Sequence, residues 1–419
     1  MRLLWFGDAA RAARNVSPFR CAYPGGKLRI RNVSSVAAVL GKRAVIEISG
    51  ADASAMLQGL ITNDMSVVDG GDRLSMPAAF LNPKGRVLAD ALIVKSPRHE
   101  IKKKPGYLLD CPAAVATPLA AHLKAYKLRS KVKIKDVTAA YDVLVSGVRD
   151  PWRPGREGGY GEEVSPPGSG DAGELAVRFE DPRCPALGVR LLRPRGGEQG
   201  LEGVLWAGGS EVVGEEQFEA LRMFHGVAEG TELVESIPLE SNLDMLDFIS
   251  FSKGCYVGQE LTARTQFKGF VRKRLLPVLL LAEGIAGSLP PVQHSLSVVE
   301  NPAVWGPAAS DGAEELVGSE VAGRGAKGDK KIGSLVAVSS VSNVGLALLR
   351  FGNFLPAGAR GGWSQEDSDE QRMPQAQEDA SPVLCSIKRP GSKTPIRCLP
   401  ILPEWWPTDL DPSTGKRQI

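Results

Sequence analysis

The chain has 419 residues, too many for one ordinary domain and enough for two or three. With 43% hydrophobic and 24% charged residues it has the balance of a water-soluble globular protein, and its longest apolar stretch, 275–282, is broken by Pro277 and too short to span a bilayer. Its +3 charge gives no reason to expect nucleic acid: seven basic residues up to Arg31 stand against one acid, Asp8, and without that segment the charge is −3.

Residues 1–40 begin with those cations (Arg2, Arg11, Arg14, Arg20, Lys27, Arg29, Arg31) and an apolar patch, Leu3-Leu4-Trp5-Phe6. Basic, acid-poor and without the long apolar core of a secretory signal, the segment has the composition of an organelle transit peptide. Sparse serine points to the mitochondrion, with the chloroplast stroma as the alternative.

Residues 41–149 read as a first α+β subdomain. Val45 to Ile48 predicts a strand, and Asp52 a cap for a helix presenting Met56, Leu57 and Leu60 on one face. Ala78 to Leu81, the turn Asn82-Pro83-Lys84-Gly85 and Val87 to Val94 predict a β-hairpin. A strand at Tyr107 to Leu109, a helix after Pro112 with Leu119, Leu123 and Tyr126 at helical spacing, and strands at 132–134 and 141–145 follow. Strands and helices mix without β-α-β alternation, so the class is α+β.

Residues 150–274 form the second subdomain, which loosely echoes the first. A Gly- and Pro-rich insertion at 150–173 leads to strands at 175–179 and 187–192, a second insertion at 194–203, a strand at 204–206, and a helix at 215–224 with Phe218, Leu221 and Phe224 inward. From 275 to 419 short β runs (275–281, 316–321, 332–339, 344–351) have the texture of a small antiparallel barrel. The acidic, Gln- and Ser-rich stretch 356–382 reads as disordered, and 383–407 resumes β character, with Trp405-Trp406 docking its end.

Chemistry concentrates at Lys253-Gly254-Cys255-Tyr256-Val257-Gly258-Gln259-Glu260. Only a thiolate is a good nucleophile or soft-metal ligand. Lys253 supplies a nearby cation, and a helix opening at Gly258 would turn its positive end toward Cys255. Glu260 and Arg264 are spaced to pair along that helix. The bland alternative for Cys255 is a small buried hydrophobe. The six cysteines (Cys21, Cys111, Cys184, Cys255, Cys385, Cys398) contain no Cys-x-x-Cys, and the four histidines are isolated, so no zinc-site spacing appears; a disulfide framework is not expected in a chain of this size with an organellar address. His122 and His225 read as packed or surface residues. Iron–sulfur sites use several thiolates, so the chain alone is not expected to enclose a permanent cluster.

Asn63-Asp64 offers an amide and a carboxylate to a heterocycle, or equally a self-bonded turn. Asn242 and Asp244 have the same ambiguity, and Glu240 is either a site group or a strand-end charge. Lys131, Lys133 and Lys135 leave one face of a strand as a solvated edge or a basic rim for a polyanion. Arg183 and Arg190 could serve the same pocket through bidentate carboxylate contacts.

The octapeptide resembles the signature of the family that groups the glycine-cleavage T-protein with its folate-binding relatives. Ile237-Pro238-Leu239-Glu240-Ser241-Asn242-Leu243-Asp244 and Leu261-Thr262-Ala263-Arg264-Thr265 resemble its Iba57/Caf17 branch, which assists mitochondrial iron–sulfur maturation. Leu57 to Asp64, Leu81 to Arg86, Asp181-Pro182-Arg183 and Leu187 to Arg190 also match, in family order, between about Lys42 and Arg350. The resemblance implies the T-protein cloverleaf: two α+β subdomains and a C-terminal β-barrel around a folate-sized cavity. It implies a mitochondrial matrix factor that helps build [4Fe–4S] clusters on aconitase-like and radical-SAM clients with A-type carriers of the Isca1 and Isca2 kind. Cys255 would be the reactive thiol and transient iron ligand, with Lys253 as its activator. Gln259, Glu260 and Arg264 would support it, and tetrahydrofolate would meet Asn63, Asp64, Asn242, Asp244, Tyr256, Gln259, Glu260, Arg264, Arg183 and Arg190. In the T-protein proper the thiol is not the catalytic group. A folate-dependent one-carbon transferase using Asp64 or Asp244, and a non-catalytic scaffold, are the alternatives.

Overall fold

The structure is a computed structural model, and it describes residues 33–97, 105–154, 176–196, 211–281, 313–325, 328–350, 385–388, 395–407, 410–411 and 416–417. The strands in chain order begin with β1 (Val33–Val39), β2 (Arg43–Ser49), β3 (Ser75–Leu81), β4 (Val87–Lys95) and β5 (Gly106–Pro112). They continue with β6 (Lys133–Asp136), β7 (Tyr141–Pro154), β8 (Val177–Glu180), β9 (Val189–Pro194) and β10 (Glu211–Val212). Two five-stranded sheets result, β3-β4-β5-β2-β6 and β10-β1-β7-β9-β8.

The first sheet is covered on both faces. Helices α1 (Ala53–Gln58), α2 (Ser66–Asp69) and α3 (Ala113–Lys127) lie on one side, where Leu57, Leu119 and Leu123 pack with Ile46, Ile48, Phe80 and Ile93. On the other side Val45, Leu92 and Leu108 pack with Val36, Val143 and Val145 of the second sheet. Every residue of β3 is buried as a result, so the strand reads as an apolar run rather than an alternation. Each fully buried Leu, Ile or Phe contributes roughly 1.5–3 kcal/mol from removal of apolar surface from water.

Beyond 272 the chain closes a six-stranded antiparallel barrel. Its strands are β11 (Lys273–Leu281), β12 (Glu320–Gly325), β13 (Gly328–Val338), β14 (Val344–Arg350), β15 (Cys385–Ile387) and β16 (Ile396–Pro400), in the order β11-β14-β13-β12-β15-β16, with β16 returning to β11. Trp406 lies against the barrel core, while Trp405 Nε1 donates to the His225 carbonyl at 2.6 Å and ties this end to the helical layer.

Between α4 (Glu215–Phe224) and α5 (Gln259–Phe267) runs a connection of more than thirty residues whose regular structure is one 3-10 turn, Gly230–Glu232. It is nevertheless buried through Val227, Leu233, Leu239, Leu243, Leu246 and Phe248. Long irregular segments inside a compact domain are uncommon and tend to carry function. This one carries the thiol.

Several expectations need correction. The segment read as an address to residue 40 overlaps β1, whose Ala37 and Ala38 are 0% exposed, so Val33–Val39 belongs to the fold. A boundary at 149/150 would cut β7, which with β1 belongs to the second sheet, and 150–154 is the end of that strand rather than insertion. Asp52 precedes α1 but does not cap it with its side chain: its carboxylate accepts the Lys131 N–H at 2.6 Å. Residues 1–32, 155–175, 197–210 and 356–382, where the address, insertions and disordered stretch were expected, lie outside the described residues.

Candidate functional site

The thiol loop is clamped to the end of α1. Lys253 Nζ donates to the carbonyls of Gln58, Ile61 and Asn63 at 2.7, 2.7 and 2.6 Å. A helix end leaves carbonyls without intrahelical donors and concentrates negative partial charge there, so a cation is the natural cap. Val257 N donates to the Gly59 carbonyl at 3.1 Å and Ser250 N to that of Thr62 at 3.0 Å. Thr62 Oγ1 donates in turn to the Phe248 carbonyl at 2.7 Å. Two segments some 190 residues apart in sequence thus form one unit.

Lys253 is half-buried, and burial lowers its pKa to about 8 against the opposing pull of Asp64. Its ammonium also lies 5.0 Å from the centroid of the Tyr256 ring. Its three N–H bonds belong to backbone carbonyls, so its direct work is to hold the loop. Tyr256 packs against the core, and burial pushes its phenol up to about 12.

Gly258 makes the turn into α5 at φ +79°, with Gln259 Oε1 accepting the Tyr256 N–H at 3.2 Å. A methyl added at Gly258 would meet the Asn82 carbonyl oxygen at 2.4 Å, because the turn of the β3–β4 hairpin packs on the start of α5. Gly85 contributes the other side, where a methyl would meet Leu261 Cβ at 2.5 Å. Only residues without a Cβ allow this approach.

Cys255 sits at the outer edge of that clamp, exposed and free. Cys111, Cys184, Cys385 and Cys398 are buried, and Cys21 lies outside the described residues. The small-buried-hydrophobe alternative does not hold for Cys255. Glu260 and Arg264 are exposed on α5, and among the described residues no ion pair joins them.

The other residues singled out in the sequence have different duties. Asn63 is buried, its Nδ2 donating to the carbonyls of Pro77 (2.8 Å) and Asp247 (2.7 Å) and its Oδ1 accepting the Asp64 N–H at 2.8 Å. Asp64 accepts from Ser66 N at 3.0 Å and Gln58 Nε2 at 3.1 Å. Burial would raise its pKa, but Ser66, Gln58 and Lys253 outweigh that and hold it below the usual value. Asp244 makes a bidentate pair with Arg274 at 2.6 and 3.0 Å, and Asn242 Nδ2 donates to the Leu275 carbonyl at 2.6 Å. Both pin the long connection to the first barrel strand.

Arg183 and Arg190 are the clearest reversal, being 2% and 0% exposed. Arg183 pairs with Asp181 at 2.6 Å and with Glu229; Arg190 bridges Asp110 at 2.9 Å and Asp181 at 3.2 Å. Arg43 joins Asp110 at 2.7 Å and Glu229 at 3.0 Å, and Arg222 joins Glu232 at 2.7 Å. Burial alone would raise Glu229, but Arg183, Arg43, Arg222 and Arg190 hold it well below the usual carboxylate range. These guanidiniums are committed to carboxylates of the fold and form no rim for a polyanion. Lys131, Lys133 and Lys135 are exposed, the last two on the edge strand β6, as their alternation predicts.

The residues assigned to tetrahydrofolate thus do not fit that task as a set. Arg183, Arg190, Asp244 and Asn63 are each engaged by protein partners, while among the described residues Arg190 Nε and Asn242 Oδ1 are buried without a hydrogen-bond partner. Among the described residues no group of three or more His, Cys, Asp or Glu side chains is placed to hold a metal ion. Sequence reasoning missed Asp90, 2% exposed, which accepts the Gly230 N–H at 2.8 Å and is raised to about 6 by burial and by Glu229. A carboxylate in the middle of the apolar run of β4 was the available signal.

No protein-family model matches the chain. It is 33% identical over 377 residues to the iron–sulfur cluster assembly factor IBA57 homologue, mitochondrial, of Mycosarcoma maydis, covering 88% of this chain and 84% of that protein. The homologue of the same name in Aspergillus oryzae is 31% identical over 384 residues, covering 87% and 80%. That of Neosartorya fischeri is 36% identical over 332 residues, covering 74% and 69%. Among solved structures, the glycine cleavage system aminomethyltransferase T of Bartonella henselae superposes with a TM-score of 0.51 over 92% of this chain and 88% of that one. At 11% identity that is a likeness of fold.

Proposed function

The chain belongs to the IBA57 family of iron–sulfur cluster assembly factors, and on that premise we propose that it serves cluster maturation in the mitochondrial matrix, with Cys255 as the group that meets the cargo. The observation that carries this reading is the position of the thiol: exposed, free, and on a loop that Lys253 fixes to three carbonyls. A thiol that ligates iron sheds its proton on binding. One thiolate is too few to enclose a cluster, so the remaining ligands come from a second protein. In this proposal A-type carriers are the partners and [4Fe–4S] apoproteins the clients; the cluster is cargo rather than a resident cofactor.

Depletion of the protein in cells tests the reading directly. Activity of aconitase-like [4Fe–4S] enzymes should fall. Loss of glycine cleavage with intact [4Fe–4S] enzymes would favour a folate-dependent transferase instead.

A further inference from the structure

The polarity of α5 is reversed. A surface helix ordinarily buries its apolar residues and exposes polar ones. This helix buries Thr262 and Gln266, 1% and 8% exposed, and turns Phe267 outward at 66%. Phe270, three residues on, is 59% exposed. The chain between them folds tightly onto the helix end: a methyl at Gly269 would meet Thr265 Cα at 3.0 Å. Phe267 is also held edge-on to Phe251, 6.3 Å between ring centroids, and Phe251 packs into the core. Phe267 is therefore held in an exposed position, with Phe270 exposed beside it on the chain.

Cations surround them. Arg264, Lys268 and Arg272 are exposed, and so is Lys84 on the hairpin turn that packs against Gly258. Among the described residues none of the four has an ion-pair partner, and Glu260 is the one acid on the outward face of α5. That face begins beside the Cys255 loop and runs about 14 Å to Phe267 at helical rise.

We propose that the outward face of α5 and the chain to Arg272 form a docking surface for an acidic protein partner, one that seats Phe267 and Phe270 in an apolar recess and brings its cluster ligands to Cys255. This rests on the reading of Cys255 given above. Unpaired cations call for carboxylates, and exposed aromatics are the kind of side chain that anchors a protein interface. A membrane surface is less well matched, because a nine-residue helix with a polar buried face and two rings offers little apolar area to a bilayer.

The test measures binding of a purified A-type carrier to the full chain. Phe267→Ser/Phe270→Ser and Lys268→Glu/Arg272→Glu should each weaken binding at least tenfold with the melting temperature unchanged. Wild-type binding should also weaken as salt rises, since exposed charges are screened. Phe267→Ala alone gives a milder variant should the double one fold poorly. Carrier affinity unchanged in both double variants would overturn the proposal, as would no binding to the wild type. So would binding of phosphatidylserine vesicles that the same variants abolish. Cys255→Ser should bind the carrier within twofold of wild type and fail only in cluster maturation, which separates failure of the docking surface from failure of the thiol reading.

Discussion

Lys253 shows how one residue can look like a chemical group and act as a mechanical one. Burial lowers its pKa to about 8, so it is still charged at pH 7, and its three N–H bonds close the end of α1. Lys253→Met keeps the apolar stem and deletes those bonds. Hydrogen bonds to charged groups are worth about 1.5–3 kcal/mol each, and relief of the ammonium's desolvation offsets part of that. The net loss should be about 2–4 kcal/mol, read as a lower urea midpoint at pH 7; an unchanged midpoint would show that the clamp does not hold the loop. Cation, glycines and thiol are neighbours in sequence, so the octapeptide could be picked out from the residues alone. The carbonyls they serve lie 190 to 195 residues upstream and leave no local signal. The same distance problem hid the fate of Arg183 and Arg190, whose partners Glu229 and Asp110 are 46 and 80 residues away.

At the level of elements, the hairpin turn Asn82–Gly85 and the start of α5 are built to touch. Gly258→Ala would put a Cβ 2.4 Å from the Asn82 carbonyl oxygen on a backbone at φ +79°. Strain and clash together should lower stability by about 2–4 kcal/mol and displace the thiol loop. Thermal unfolding measures the first, and faster proteolysis near Cys255 reports the second. Wild-type stability in this variant would mean that the hairpin and α5 do not meet as described. Both elements were legible, the hairpin from its Asn-Pro-Lys-Gly turn and the helix from the sequence after Gly258. β1 was not, because Val33 to Val39 follows a basic segment whose composition dominated the reading of residues 1–40. Its burial comes from pairing with β7, more than a hundred residues later, which local pattern does not report.

Across the whole molecule, four arginines and four carboxylates (Asp110, Asp181, Glu229, Glu232) join the two sheets and the helical layer, with Asp90 as an extra acid beside them. Asp90 is raised from 3.8 to about 6, so between those values the folded state holds a proton the unfolded chain has lost. The resulting stability is present in full below 3.8 and is lost as pH rises through 6. Asp90→Asn should therefore be the more stable protein at pH 7, by up to roughly 3 kcal/mol, with the gap closing toward pH 4. Parallel urea titrations of both proteins check it, and a gap independent of pH would contradict the assignment. The α+β class and the barrel were legible from strand lengths and turns, because those are local properties. Division into sheets was not, since β1 and β7 cross any boundary drawn along the chain.

What most directly tests the role of the site is replacement of one atom. Cys255→Ser exchanges an exposed sulfur for oxygen and leaves the clamp of Lys253, Gly59 and Thr62 intact, so the fold and melting temperature should not change. Expressed at wild-type level in cells depleted of the native protein, the serine variant should fail to restore [4Fe–4S] enzyme activity where the wild type succeeds. Full restoration by Cys255→Ser would contradict the assignment of Cys255 as the group that meets the cluster.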